Sequence, residues 1–170
     1  YFGLMNWLPS IMQKQAHVSV SGSAMWMIAT IAGMVMGMFV FGNVLDNIGP
    51  RWAFGIFLIG AAISVYIFTL AKTTATILPA GALIGFFSNG MFGGYGAVIS
   101  ELYPVTIRST ANNLIVNVGR AIGGFSSVAI GLLMEHFTLP VVMASLAGLY
   151  IFSFIVMLTI PALVKRGVTA

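Results

Sequence analysis

The chain has 170 residues, of which 59% are hydrophobic and only 6% charged, whereas a water-soluble domain carries roughly 25% charged residues. So few charges cannot cover a water-facing surface, and the seven Lys and Arg residues behind the net charge of +4 are scattered rather than gathered into a basic face, which argues against nucleic acid. No cysteine is present, which excludes disulfides and thiolate metal sites.

The chain opens at Tyr1 inside an apolar run, with no basic leader or cleavage pattern ahead of it, as expected of a piece of a longer protein. Beyond it, charges punctuate uncharged stretches long enough to cross a bilayer, which takes about 20 residues. Six helical segments are predicted in chain order. Residues 1–12 form the rear of a truncated first helix. Residues 24–45, 52–71 and 76–100 form the second, third and fourth. Residues 111–134 form the fifth, interrupted by one charge, Arg120. Residues 139–164 form the sixth. Continuous apolar runs argue against a membrane barrel, whose strands would be short and alternating. The predicted fold class is an all-α membrane protein, a six-helix transmembrane bundle.

The connections are short and carry turn chemistry. Asn47-Ile48-Gly49-Pro50 separates the second segment from the third, and Tyr103-Pro104 ends the fourth. Brief connections make neighbouring helices antiparallel. The loops with Arg51 and Arg108 and the tail with Lys165 and Arg166 then share one side. Lys14, Lys72 and the Glu135-His136 pair share the other. The larger basic count marks the first side, and so the C-terminus, as cytoplasmic. Trp52 and Tyr66, near helix ends, are expected as interfacial anchors.

Glycines recur four apart at Gly33 and Gly37, Gly81 and Gly85, Gly90 and Gly94, and Gly119 and Gly123. That spacing lets helices approach closely in lipid. Met25, Met27, Met34, Met36 and Met38 read as adaptable packing or lipid-facing side chains.

Two motifs on the expected cytoplasmic side are the most specific features. Gly42-Asn-Val-Leu-Asp46-Asn-Ile-Gly49-Pro-Arg51 resembles the G-x-x-x-D-x-x-G-x-R signature of the major facilitator superfamily, without its second basic residue. Glu101-Leu-Tyr-Pro104-Val-Thr-Ile-Arg108 looks like the E-x-[FY]-P-x-x-x-R segment of that family's sugar porters and organic-acid symporters. In the first motif, Gly42 would permit close packing, Gly49 a tight turn, and Asp46 a cap or ion pair. The resemblance implies that Asp46, Arg51, Glu101 and Arg108 gate the cytoplasmic mouth. It also implies that the chain is the C-terminal half, helices 7 to 12, of a twelve-helix transporter whose N-terminal six-helix half is its partner. An integral, multi-pass location in a bacterial-type plasma membrane follows.

Arg120 differs in kind. An arginine at bilayer depth costs at least about 2.5 kcal/mol, so it must face a wet cavity or a partner. Asn113, Asn117, Arg120, Gly124 and Ser127 share one helix stripe. A guanidinium offers a planar fork suited to a carboxylate, and it does not hand on its proton. Arg120 is therefore expected to bind an anionic substrate, with a structural ion pair as the alternative. Asn113, Asn117, Asn89, Tyr95 and Trp7 are expected to complete the site. Phe86, Phe87, Phe92 and Asn6 are further candidates, although most such rings pack helices. Together, Arg108 and Arg120 look most like the aromatic-acid:proton symporters of the superfamily. The resemblance implies import of a small organic anion with protons, and no titratable group lies at depth here to carry the proton. Other readings are a sugar or drug transporter of the same superfamily and a non-transporting membrane scaffold. No nucleophile–base pair, metal cluster or phosphate loop appears, so no enzyme, cofactor or metal is expected.

Overall fold

The computed structural model describes residues 20–71 and 73–163. The predicted first segment, with Asn6 and Trp7, lies outside the described residues. The elements are α1 (Val20–Ile48), α2 (Pro50–Leu70), α3 (Thr74–Ile84), a π-helical turn (Gly85–Asn89), α4 (Phe92–Leu102), α5 (Val105–His136), α6 (Leu139–Leu158) and a 3-10 turn (Pro161–Leu163). No strand occurs among the described residues. Among the described residues, five stretches are long and apolar enough to cross a membrane: Gly22–Ile48, Pro50–Leu70, Ala75–Leu102, Val105–His136 and Pro140–Leu158.

Local chemistry explains the ends. Gly49 takes φ 82°, a left-handed conformation that suits glycine, and α1 stops there. Pro50 opens α2, where its missing N–H is not needed. A reciprocal capping box between Thr73 and Thr76 starts α3. Pro104 is extended and caps α5, which begins at Val105 and not at 111. Arg108 is thus a helix residue instead of a loop residue. Pro161 follows the end of α6, so that helix stops at Leu158 instead of continuing to 164. The fourth span is not uniform. It contains Pro79 and then the π-helical turn, so α3 and α4 are two pieces of one crossing.

Glycines set the central contact. A Cβ on Gly33 or Gly37 would collide with the carbonyl oxygen of Ala82 or Phe86, and one on Gly85 with that of Thr30. A Cβ on Gly90 would lie 2.7 Å from the carbonyl carbon of Gly37. Backbone therefore meets backbone where α1 crosses α3 and the π-helical turn. In lipid this close packing supplies the attraction that water exclusion supplies elsewhere. Gly42 does not share this role, because nothing approaches within 4 Å of its would-be Cβ. Among the described residues, nothing makes the close packing expected there.

Two apolar clusters complete the bundle. One joins Trp26, Val65, Phe68, Ile77, Ile84 and Met143. The other joins Phe41, Leu45, Phe54, Phe57, Met91 and Met157. Phe41 meets Phe54 and Phe57 edge-on at ring distances of 4.9 and 4.8 Å, a favoured aromatic geometry. Phe86 stacks on Phe57, and Phe87 meets it edge-on. Both rings are thereby spent on packing. α6 lies along α2, while among the described residues α5 packs mainly on the flanks of α4 and α6.

Candidate functional site

The exposure of α5 sets it apart. Ile130 is its only buried residue among those described. At about 100° per residue, the helix surface divides into three arcs. Arg108, Asn112, Val116, Gly123 and Ile130 form a half-buried to buried arc against the bundle. Leu114, Val118, Ile122, Phe125 and Leu132 form an exposed apolar arc on the far side. Between them runs the polar arc. Asn113, Asn117, Arg120 and Gly124 are exposed on it, and Ser127 is half-buried. Arg120 sits midway along Val105–His136.

The apolar arc suits lipid. The polar arc does not, since an exposed guanidinium at the middle of a span cannot be left in hydrocarbon. Its open space is therefore water or protein. Among the described residues, nothing lies within 4 Å of a would-be Cβ on Gly119 or Gly124.

The other expected site residues do not gather there. Tyr95 lies in a separate cavity of about 480 Å³ between α2, α4 and α6, lined by Phe54, Ser88, Phe92, Tyr150 and Ser153 among others. No α5 residue lines that cavity. The Tyr95 ring sits against Phe54 and Phe92 at 5.1 and 5.4 Å. Asn89 is buried within the π-helical turn, away from the exposed arc. The expectation that Asn89 and Tyr95 share one site with Arg120 is not met by this arrangement. Trp7 lies outside the described residues.

The motif residues do share one side of the bundle. Asp46 is exposed at the end of α1, and Glu101 is exposed at the end of α4. Asp46 does not cap α2, whose cap residue Gly49 has no side-chain hydrogen bond. Arg51 donates from Nη2 to the carbonyl oxygen of Leu158 at 3.3 Å. Arg108 is half-buried, and its Nε has no hydrogen-bond partner among the described residues. One turn further along the same arc, the buried Oδ1 of Asn112 also lacks one. Sequence reasoning missed Asn112, though its place four residues after Arg108 was a signal. It also missed Tyr150, whose hydroxyl is bonded to Ser88 in the π-helical turn.

A long helix with a polar arc at bilayer depth, beside two signature turns, narrows the family sharply. The profile described as Major Facilitator Superfamily matches residues 1–169. The chain belongs to the major facilitator superfamily. It is an integral, multi-pass membrane protein with the helical fold of that superfamily.

Relatives agree. A protein of Haemophilus influenzae named for metabolite transport is 40% identical over 151 residues, covering 89% of this chain and 37% of its own length. A protein of Bacillus subtilis named for niacin/nicotinamide transport is 29% identical over 168 residues, covering 98% of this chain and 40% of its own length. A cis,cis-muconate transport protein of Acinetobacter baylyi is 27% identical over 133 residues, covering 78% of this chain and 32% of its own length. The chain thus spans well under half the length of these relatives. No solved structure matches it. Family and relatives are transporters, and the chain is not an enzyme.

Proposed function

We propose that the chain is the C-terminal six-helix half of a proton-coupled importer of a small organic carboxylate, working by alternating access. The observation that carries this reading is the polar arc of α5. It presents Arg120, Asn117 and Asn113 near mid-span on a face that the described residues leave exposed. In this reading the arc lines the cavity shared with the N-terminal half. Arg120 pairs with the substrate carboxylate, and the two asparagines hydrogen-bond its remaining polar groups. Asn89, Tyr95 and Trp7 are left to shape the surroundings. Asp46, Arg51, Glu101 and Arg108 close the cytoplasmic side, where the C-terminus also lies.

The names of the relatives support the substrate class. Niacin and cis,cis-muconate are both small, unsaturated organic acids, and each is planar enough to sit beside a guanidinium. The proton-carrying group is left to the N-terminal half, because among the described residues no Asp, Glu or His stands near mid-span.

Uptake by the intact transporter in proteoliposomes tests this. With an inward proton gradient, labelled benzoate-type acids should accumulate and labelled sugars should not. Arg120→Gln should abolish acid uptake. Acid uptake indifferent to that change, or sugar uptake in its place, sinks the arginine–carboxylate pairing and returns the neutral-substrate reading.

A further inference from the structure

The turn between α1 and α2 opens into a groove whose mouth holds Arg51, one of the residues given a gating role above. It encloses about 400 Å³ between α2 and α6, within the range of roughly 300–1,000 Å³ typical of small-molecule sites. Gly49, with its positive φ, and Pro50 fix the approach of the chain at its mouth. Arg51 follows directly. The residue is half-buried, and its guanidinium is steered by an exposed bond from Nη2 to the Leu158 carbonyl. A guanidinium has five N–H donors in a rigid fork, so one such bond orients the group and leaves donors for a second acceptor.

Below Arg51 the groove is apolar. Ile56 and Ile59 are 47% and 45% exposed along its wall, and Phe154 closes it from α6. Trp52, 68% exposed, stands at the rim. Both helices are candidate membrane spans, and the exposed Ile56, Ile59 and Trp52 give this face the composition of one that meets lipid. Among the described residues, Arg51 is the one ionisable residue that lines the groove. A phosphate finds a donor fork there, whereas the ammonium of a zwitterionic headgroup finds no carboxylate.

We propose that this groove binds an anionic phospholipid, with its phosphate on Arg51 and an acyl chain laid along Ile56 and Ile59. Basic pockets between membrane helices recognise anionic headgroups in this way. Trp52 at the rim is a built-in reporter of the occupant.

The test uses the intact transporter in bilayers that contain brominated lipids, which quench indole emission on contact. Subtracting the signal of Trp52→Phe isolates Trp52. Brominated phosphatidylglycerol should quench Trp52 with about fivefold higher apparent affinity than brominated phosphatidylcholine, the factor expected from one basic residue at an anionic surface. Raised salt should narrow that ratio. Arg51→Gln should bring it to about one, and Arg51→Lys should keep most of it. Equal quenching by the two lipids in the unmodified protein overturns the proposal without any variant. A preference that survives Arg51→Gln overturns it as well.

Discussion

Arg51 and Leu158 stand 107 positions apart in the sequence, yet the guanidinium of the first donates to the carbonyl of the second at 3.3 Å. The bond ties the first turn of α2 to the last turn of α6. Carbonyls at a helix C-terminus lack intrahelical partners, and that end of the helix carries partial negative charge. A cation there is doubly favoured. The signature arginine thus has a partner inside this bundle, besides any role across the cytoplasmic mouth. Arg51→Ala should lower stability by about 1 kcal/mol. The effect should appear as a lower unfolding temperature of the intact protein in detergent. Arg51→Lys should lower it less, because a point charge still serves the helix end. An unchanged unfolding temperature in the alanine variant would mean that the bond contributes nothing to the bundle.

The glycine contacts predict a sharp split among similar substitutions. Gly33→Ala and Gly85→Ala push a methyl group into a facing backbone carbonyl, which has no side-chain freedom to move aside. Each should destabilise by about 1–3 kcal/mol through overpacking. Gly42→Ala and Gly119→Ala enter open space and should be neutral, or better by up to about 1 kcal/mol from helix propensity. Thermal unfolding of the four variants decides it. Equal losses in all four would show that the glycines matter for something other than close approach.

The membrane spans were legible because charge and proline interrupt them, and those signals act locally. Pro104 ends the fourth span as expected, whereas the Thr73 cap and the Pro161 stop were passed over, so the expected segments begin at 76 and run on to 164. The start of α5 was misjudged because Arg108, Ser109 and Thr110 look like loop residues. They extend a helix whose cap, Pro104, leaves no reason to wait until 111. The π-helical turn at Gly85–Asn89 was not legible at all. It belongs to the crossing of α1 over the fourth span, where Gly90 meets Gly37, and such pairing is a tertiary fact. The same holds for the candidate site. The stripe through Asn113, Asn117 and Arg120 follows from helix period alone. Which aromatic residues stand beside it depends on helix packing, and this chain gives Tyr95 a different cavity and spends Phe86 and Phe87 on Phe57.

The three arcs of α5 can be read by thiol labelling, since these 170 residues hold no cysteine and any cysteine elsewhere in the intact transporter can be replaced by serine first. Single cysteines at Asn113, Asn117 and Gly124 should react with a hydrophilic, membrane-impermeant maleimide in the intact transporter when the cavity is open to the reagent. Cysteines at Val118, Ile122 and Phe125 should stay unlabelled, because a thiol facing hydrocarbon is rarely ionised and the reagent cannot reach it. Substrate present during labelling should protect the first set only. Labelling of both sets alike would remove the distinction between a wet arc and a lipid arc. The reading of Arg120 as a cavity residue would fall with it.

Ser88 and Tyr150 give the last test, of the π-helical turn itself. Their hydroxyls are hydrogen-bonded to each other, Ser88 from within the turn and Tyr150 from α6. Ser88 is 1% exposed, so its hydroxyl has no easy recourse to water. A buried hydroxyl left without a partner costs about 1–3 kcal/mol. Tyr150→Phe and Ser88→Ala should each destabilise the intact protein by roughly 1 kcal/mol, the usual net worth of such a bond. The double variant should lose clearly less than the sum, because removing both partners leaves no orphan. Coupling of about 0.5 kcal/mol or more is expected for residues in one hydrogen-bonded pair. Strict additivity would mean that the pair does not hold the turn to α6. The wider helical turn would then rest on the backbone packing of Gly85 and Gly90 against α1 alone.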